Sequence, residues 1–112
     1  KPVTAQPPTQ PSGPPACMLR LSTENPAVGE TVTATITSNL PGKKWLGYPT
    51  GRSGDDRNNG GYTDGSGAAQ FSFPARAGDN GNVMVMVNSQ GDNFMDAPEG
   101  SIARCTAHYT VG

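Results

Sequence analysis

Apolar and polar positions alternate most strictly over Glu30–Leu40, ETVTATITSNL, where Val32, Ala34 and Ile36 oppose Thr31, Thr33, Thr35 and Thr37. A period of two with one apolar side predicts a half-buried β-strand. The same pattern predicts five more strands. CMLRLS (17–22) sets Cys17, Leu19 and Leu21 on one face, and Lys44–Tyr48 carries the only tryptophan. Ala69–Phe73 sets Phe71 and Phe73 against Gln70 and Ser72. Asn82–Asn88 is apolar on both sides, Val83, Val85 and Val87 against Met84 and Met86, which predicts a strand that is central or covered on both faces. Ile102–Val111 closes the chain, with Ala103, Cys105, Ala107, Tyr109 and Val111 inward and Arg104, Thr106, His108 and Thr110 outward.

Glycine and proline punctuate everything between these segments. After Cys17 the longest stretches free of both are 30–40 and 101–111, eleven residues each, and neither has a 3.6-residue period. That leaves no room for an ordinary helix. Turns are expected at Glu24–Gly29, Leu40–Gly42, Asp64–Gly67 and Ala77–Gly81, with a loop over Gly91–Gly100. Pro49–Gly61 reads as a long polar loop without regular structure. Six or seven short strands at this spacing predict an all-β protein, an Ig-like β-sandwich of about seven short antiparallel strands over residues 17–112. Residues 1–16 hold six prolines and read as an extended, solvated linker or arm.

Val, Ile, Leu and Phe together number 16 of 112 residues, so the core must be thin. The net charge is only −1, unlike that of a disordered chain, and the scattered Lys and Arg argue against nucleic acid as a partner. No run approaches the 18 apolar residues of a membrane span, and no signal-peptide pattern stands among these residues. Cys17 and Cys105 lie one near each end of the domain, with no C-x-x-C or H-x-x-x-H spacing beside them. A single pair cannot hold zinc alone. A disulfide clasping the first and last strands is the leading reading, and two unrelated buried thiols are the alternative. The bond would place the protein in an oxidising compartment, secreted or at the cell surface.

NPAVGETVTATIT, YTDGSGAAQFSF and AGDNGNVMVMVN together resemble the bacterial immunoglobulin-like modules of invasin- and intimin-type adhesins and related surface proteins. The T-D-x-x-G-x-A-x-F pattern falls on Thr63, Asp64, Gly67, Ala69 and Phe71. A-G-x-x-G-x-V-x-V falls on Ala77, Gly78, Gly81, Val83 and Val85. The resemblance covers residues 17–111 and implies the sandwich fold and a surface or secreted setting. Two features depart from it: the long polar insertion at 49–62, and cysteines on terminal rather than central strands.

The densest polar chemistry lies at 51–67. Asp55, Asp56, Asn58, Asn59 and Asp64 invite a calcium reading, but an EF-hand register from Asp55 puts Arg57 at the third ligand position and Ser66 at the twelfth, so it fails. No metal or other cofactor is expected. Tyr48, Arg52, Asp55, Asp56, Arg57 and Tyr62 are the candidate contacts for a protein or carbohydrate partner, whereas Trp45 belongs to the core. The four methionines read as structural packing, Met84 and Met86 alternating on their strand as core residues would, rather than as a copper site with His108. Ser53 lacks the G-x-S-x-G setting and has no reason to meet His108, so no enzyme activity is expected. The function expected is a non-catalytic, extracellular or cell-surface module with a structural or adhesive role, presenting loops at 49–67 for protein or carbohydrate binding. One alternative is a repeating subunit of a filament or phage virion, self-assembling through the N-terminal arm or edge strands. The other is an accessory carbohydrate-binding domain, which needs Tyr48 and Tyr62 exposed side by side.

Overall fold

The computed structural model describes residues 13–51, 59–98 and 100–112. Among the described residues seven strands form: β1 (Cys17–Leu21), β2 (Thr31–Ser38), β3 (Lys44–Pro49), β4 (Asn59–Tyr62), β5 (Ala69–Pro74), β6 (Asn82–Asn88) and β7 (Ile102–His108). They pair antiparallel in two sheets, β1-β2-β5 and β4-β3-β6-β7, the two layers of an Ig-like sandwich.

The alternation in β2 does what its pattern requires. Val32, Ala34 and Ile36 are fully buried, and β2 is the central strand of its sheet. Phe71 and Phe73 on β5 face the same interior, opposite Val83, Val85 and Val87 of β6. Trp45 is buried as expected, its ring 5.4 Å from that of Phe71. The aromatic line continues from Phe71 to Phe73 at 6.0 Å and from Phe73 to Tyr109 at 5.7 Å, along the length of the core. Each aromatic or branched side chain so buried contributes about 1.5–3 kcal/mol, which lets a small core suffice.

Three sequence expectations need correction. The stretch 49–61 is not irregular throughout, because Asn59–Tyr62 forms β4 on the free edge of β3. The last strand stops at His108 rather than Val111. Beyond it, Tyr109 N–H donates to Gly81, Thr110 N–H to Glu24 and Gly112 N–H to Pro26, so the tail leaves the ladder and seals the loops. Met84 and Met86 are not core residues. β6 is central in its sheet, and these two side chains lie half-buried on its outer side.

Cys17 and Cys105 are bonded, with their Cα atoms 5.6 Å apart. The bond joins β1, an edge of one sheet, to β7, an edge of the other, and closes that side of the sandwich. A disulfide of this kind points to an oxidising compartment. No helix among the described residues is long and apolar enough to cross a membrane.

The two poles of the sandwich are built differently. At one pole Ser38 N–H donates to Gly67, and Gly42 N–H donates to Asp64. Thr63, itself buried, accepts from Lys43 N–H through its hydroxyl and donates to the Leu40 carbonyl. The incoming chain is held here by the Asn39 amide, which donates to Pro14 and accepts from Ala16 N–H, each at 3.0 Å. At the opposite pole the tail docks on the 22–30 and 75–81 loops. The chain therefore enters at one pole and leaves at the other.

The turn before β5 rests on Asp64. One carboxylate oxygen accepts from Ser66 N–H, Ser66 hydroxyl and Ala68 N–H at 2.7–2.9 Å. The hydrogen bond from the Ser66 hydroxyl, then those from the Ala68 and Ser66 amides, hold the acid below its ordinary value. Gly67 follows at φ +85°, where a Cβ would meet the Ser38 carbonyl, so only glycine fits. Because the folded acid is the stronger one, its stabilisation is present above the ordinary carboxylate range and is lost as pH falls through the folded value. Melting temperature measured from pH 6 to pH 2 should fall less steeply in Asp64→Ala than in the parent chain.

Candidate functional site

The outward side of β4-β3-β6-β7 gathers residues from four strands, because every second residue on each strand shares this face. The pairing registers set them in rows. Tyr62 lies opposite Lys44, and Lys44 opposite Asn88. Leu46 lies between Gly60 and Met86, with Arg104 beyond Met86. Tyr48 lies opposite Met84, with Thr106 beyond it. Leu46, Tyr48, Met84 and Met86 are half-buried and form the apolar middle, and Arg104 and Thr106 are exposed along the β7 edge. The Tyr48 hydroxyl lies 4.0 Å from Met84 Sδ, a soft contact that fixes the ring against β6.

One border of the face is raised by the 89–101 loop. Asn88, fully buried, donates to the Asn93 carbonyl and accepts from Gln90 N–H, which folds the loop back over the end of the sheet. That fold brings Asp92 to Tyr62, whose hydroxyl donates to it at 2.7 Å. Lys44 Nζ sits 5.2 Å from the centre of the same ring. A cation, an aromatic face and a carboxylate thus stand in a row beside the apolar middle. Accepting the hydrogen bond of that hydroxyl makes Asp92 the chief reason that Tyr62 ionises above its ordinary value, with desolvation and the carboxylate charge adding to it. In an ultraviolet tyrosinate titration, Asp92→Asn should bring the ionisation of Tyr62 down toward that of a free tyrosine. An unchanged curve would exclude the contact in solution.

Two of the sequence-predicted residues lie on this face, but not together. Tyr62 is 57% exposed on β4, and Tyr48 is half-buried four residues along β3 from the partner of Tyr62, a separation of about 13 Å. Leu46 and Gly60 lie between them. Arg52, Asp55, Asp56 and Arg57 lie outside the described residues. Lys44, Leu46, Met84, Met86, Asp92 and Arg104 were not singled out for binding by the sequence. The signal that could have found them is outward apolar residues on β3 and β6, where a solvated face would carry polar ones. Among the described residues no group of three or more His, Cys, Asp or Glu side chains could hold a metal ion. His108 lies exposed at the far end of β7, near the tail-bearing pole. The chain matches no protein-family model and no curated protein.

Proposed function

We propose that this chain is a non-catalytic, immunoglobulin-like module of a secreted or surface-displayed protein. Its role is structural and adhesive, and it meets a protein or carbohydrate partner on the outer face of β4-β3-β6-β7 and the loops bordering it. The observation that carries this reading is the pole-to-pole path of the chain, with its first and last strands covalently joined. That geometry suits a module set in series with others outside the cytosol. The turn-and-strand motifs at 63–71 and 77–85, similar to those of bacterial adhesin modules, support the same reading. An apolar middle of Leu46, Tyr48, Met84 and Met86 rimmed by Lys44, Tyr62, Asp92 and Arg104 has the anatomy of a modest recognition surface.

The test presents the oxidised protein to a printed glycan array and a panel of extracellular-matrix proteins. Binding to at least one probe is expected, with loss in Met86→Glu and Tyr48→Ala while melting behaviour is kept. Binding indifferent to both substitutions would remove the sheet face from the proposal. Absence of binding, together with concentration-dependent self-association in light scattering, would favour a filament or virion subunit instead.

A further inference from the structure

Tension applied between the segment before Cys17 and the segment after Cys105 can pass through the disulfide and so bypass every core residue between the two cysteines, leaving only Tyr109 and Val111 of the packed interior in its path. Cys17 is the first residue of β1, and Cys105 lies three residues before the end of β7, so almost all of the sandwich falls inside the covalent loop. We propose that the Cys17–Cys105 bond carries end-to-end tension past the sandwich, making the module a link of nearly fixed length. Its use in a surface protein rests on the function proposed above, whereas the load path follows from connectivity alone.

Only short segments outside the loop can yield. On the entry side, residues 13–16 are held by the Asn39 side chain and by Asn39 N–H donating to the Ala16 carbonyl at 3.3 Å. On the exit side, residues 106–108 remain paired to β6, and the tail is anchored by Tyr109. That side chain is buried to 1% exposure, packs on Phe73 and donates to Asp79 at 2.7 Å. Fully drawn out, 106–112 spans about 25 Å, part of which its strand residues 106–108 already cover. The closed loop covers a sequence separation of 88 and would release about 300 Å if it opened. Apart from 106–108 of β7, the residues that form both sheets and the outer face are thus spared the load, so a partner bound there would remain bound while the chain is pulled. The device is also sensitive to thiols: a thiolate that attacks one sulfur forms a mixed disulfide there and expels the other as thiolate, transferring the load to the sandwich.

Single-molecule stretching of the chain between reference domains of known step length tests this. The oxidised chain should show no step longer than about 40 Å, the summed reach of 13–16 and 106–112 outside the loop, up to the force at which the tether detaches. Adding dithiothreitol to the same molecules under constant force should produce one release of about 300 Å per chain, and Cys105→Ser should give that release without reductant. The native chain held with and without reductant suffices if the variant does not fold. A step of loop length from oxidised molecules, or steps that ignore the reductant, would overturn the proposal. Thiol labelling of the same sample separates the causes. Free cysteines in protein from its native source would overturn the extracytoplasmic reading as well, whereas a closed bond with a long step would overturn the load path alone.

Discussion

Replacing Cys17 and Cys105 with serine together is expected to lower the stability of the sandwich by about 4 kcal/mol, within a range of about 2–5 kcal/mol. The loop that the bond closes has a sequence separation of 88, near the long end of the range over which cross-linking restricts the unfolded chain. The native side of the balance is thin. Leu19 and Leu21 on β1 are only half-buried, and among the described residues that strand pairs with β2 alone. Small domains have about 5–15 kcal/mol in all, so the loss is a large fraction of the total. A drop in melting temperature of roughly 15–30 °C corresponds to it. Alanine at both positions controls for the hydroxyls that serine brings, and agreement between the two pairs isolates the cross-link. Urea unfolding should also show a steeper dependence on denaturant once the bridge is gone, because the open unfolded chain exposes more surface. A loss below about 1 kcal/mol with unchanged slope would mean that the bond adds little to what the sheets already hold.

The parts of the fold that were legible in the sequence are those in which one strand carries its own pattern. β2 alternates threonine against fully buried Val32, Ala34 and Ile36, and β5 alternates Gln70 and Ser72 against Phe71 and Phe73, so a register slip would expose the core face. The clasp was legible because each cysteine sat on the inward side of such a strand. β4 was not legible. Its sequence NGGY has no apolar side, and it is a strand only because β3 offers it an edge. Its glycines are there for their lack of bulk: a Cβ at Gly60 would come within 3.0 Å of Leu46 Cδ2, and one at Gly61 within 3.3 Å of Trp45 Nε1. The tail misled for the opposite reason. Tyr109 and Val111 continue the alternation, but the backbone has already turned away to bond with loops 22–30 and 75–81. The outer face was legible least of all. Leu46 and Met86 are forty residues apart in the chain and adjacent only through the β3–β6 register, and Asp92 reaches Tyr62 only because Asn88 folds its loop back.

Phe71→Ala should cost about 3–5 kcal/mol, because its ring links Trp45 to Phe73 at the centre of the aromatic line. Gly47→Ala should cost about 1–3 kcal/mol for a related reason. Gly47 is an inward residue of β3, between Trp45 and Pro49, and a Cβ there would fall 2.6 Å from Phe71 Cε1, 2.9 Å from its Cζ and 3.0 Å from Val85 Cγ2. The ring occupies the space that the missing side chain leaves, so the two positions form one packing unit. Together the substitutions should therefore cost at least about 1 kcal/mol less than the sum of their separate effects, since the added methyl moves into room that the ring has vacated. Chemical denaturation of the parent, both single variants and the double variant measures that coupling. Additivity within about 0.5 kcal/mol, the range expected of independent sites, would mean that β3 relieves the clash by moving as a whole. Such a movement would carry Leu46 and Tyr48 with it, because they flank Gly47 and point to the other side of the strand. Gly47→Ala should in that case weaken binding at the outer face without touching any residue on it, whereas a purely local clash would leave binding intact.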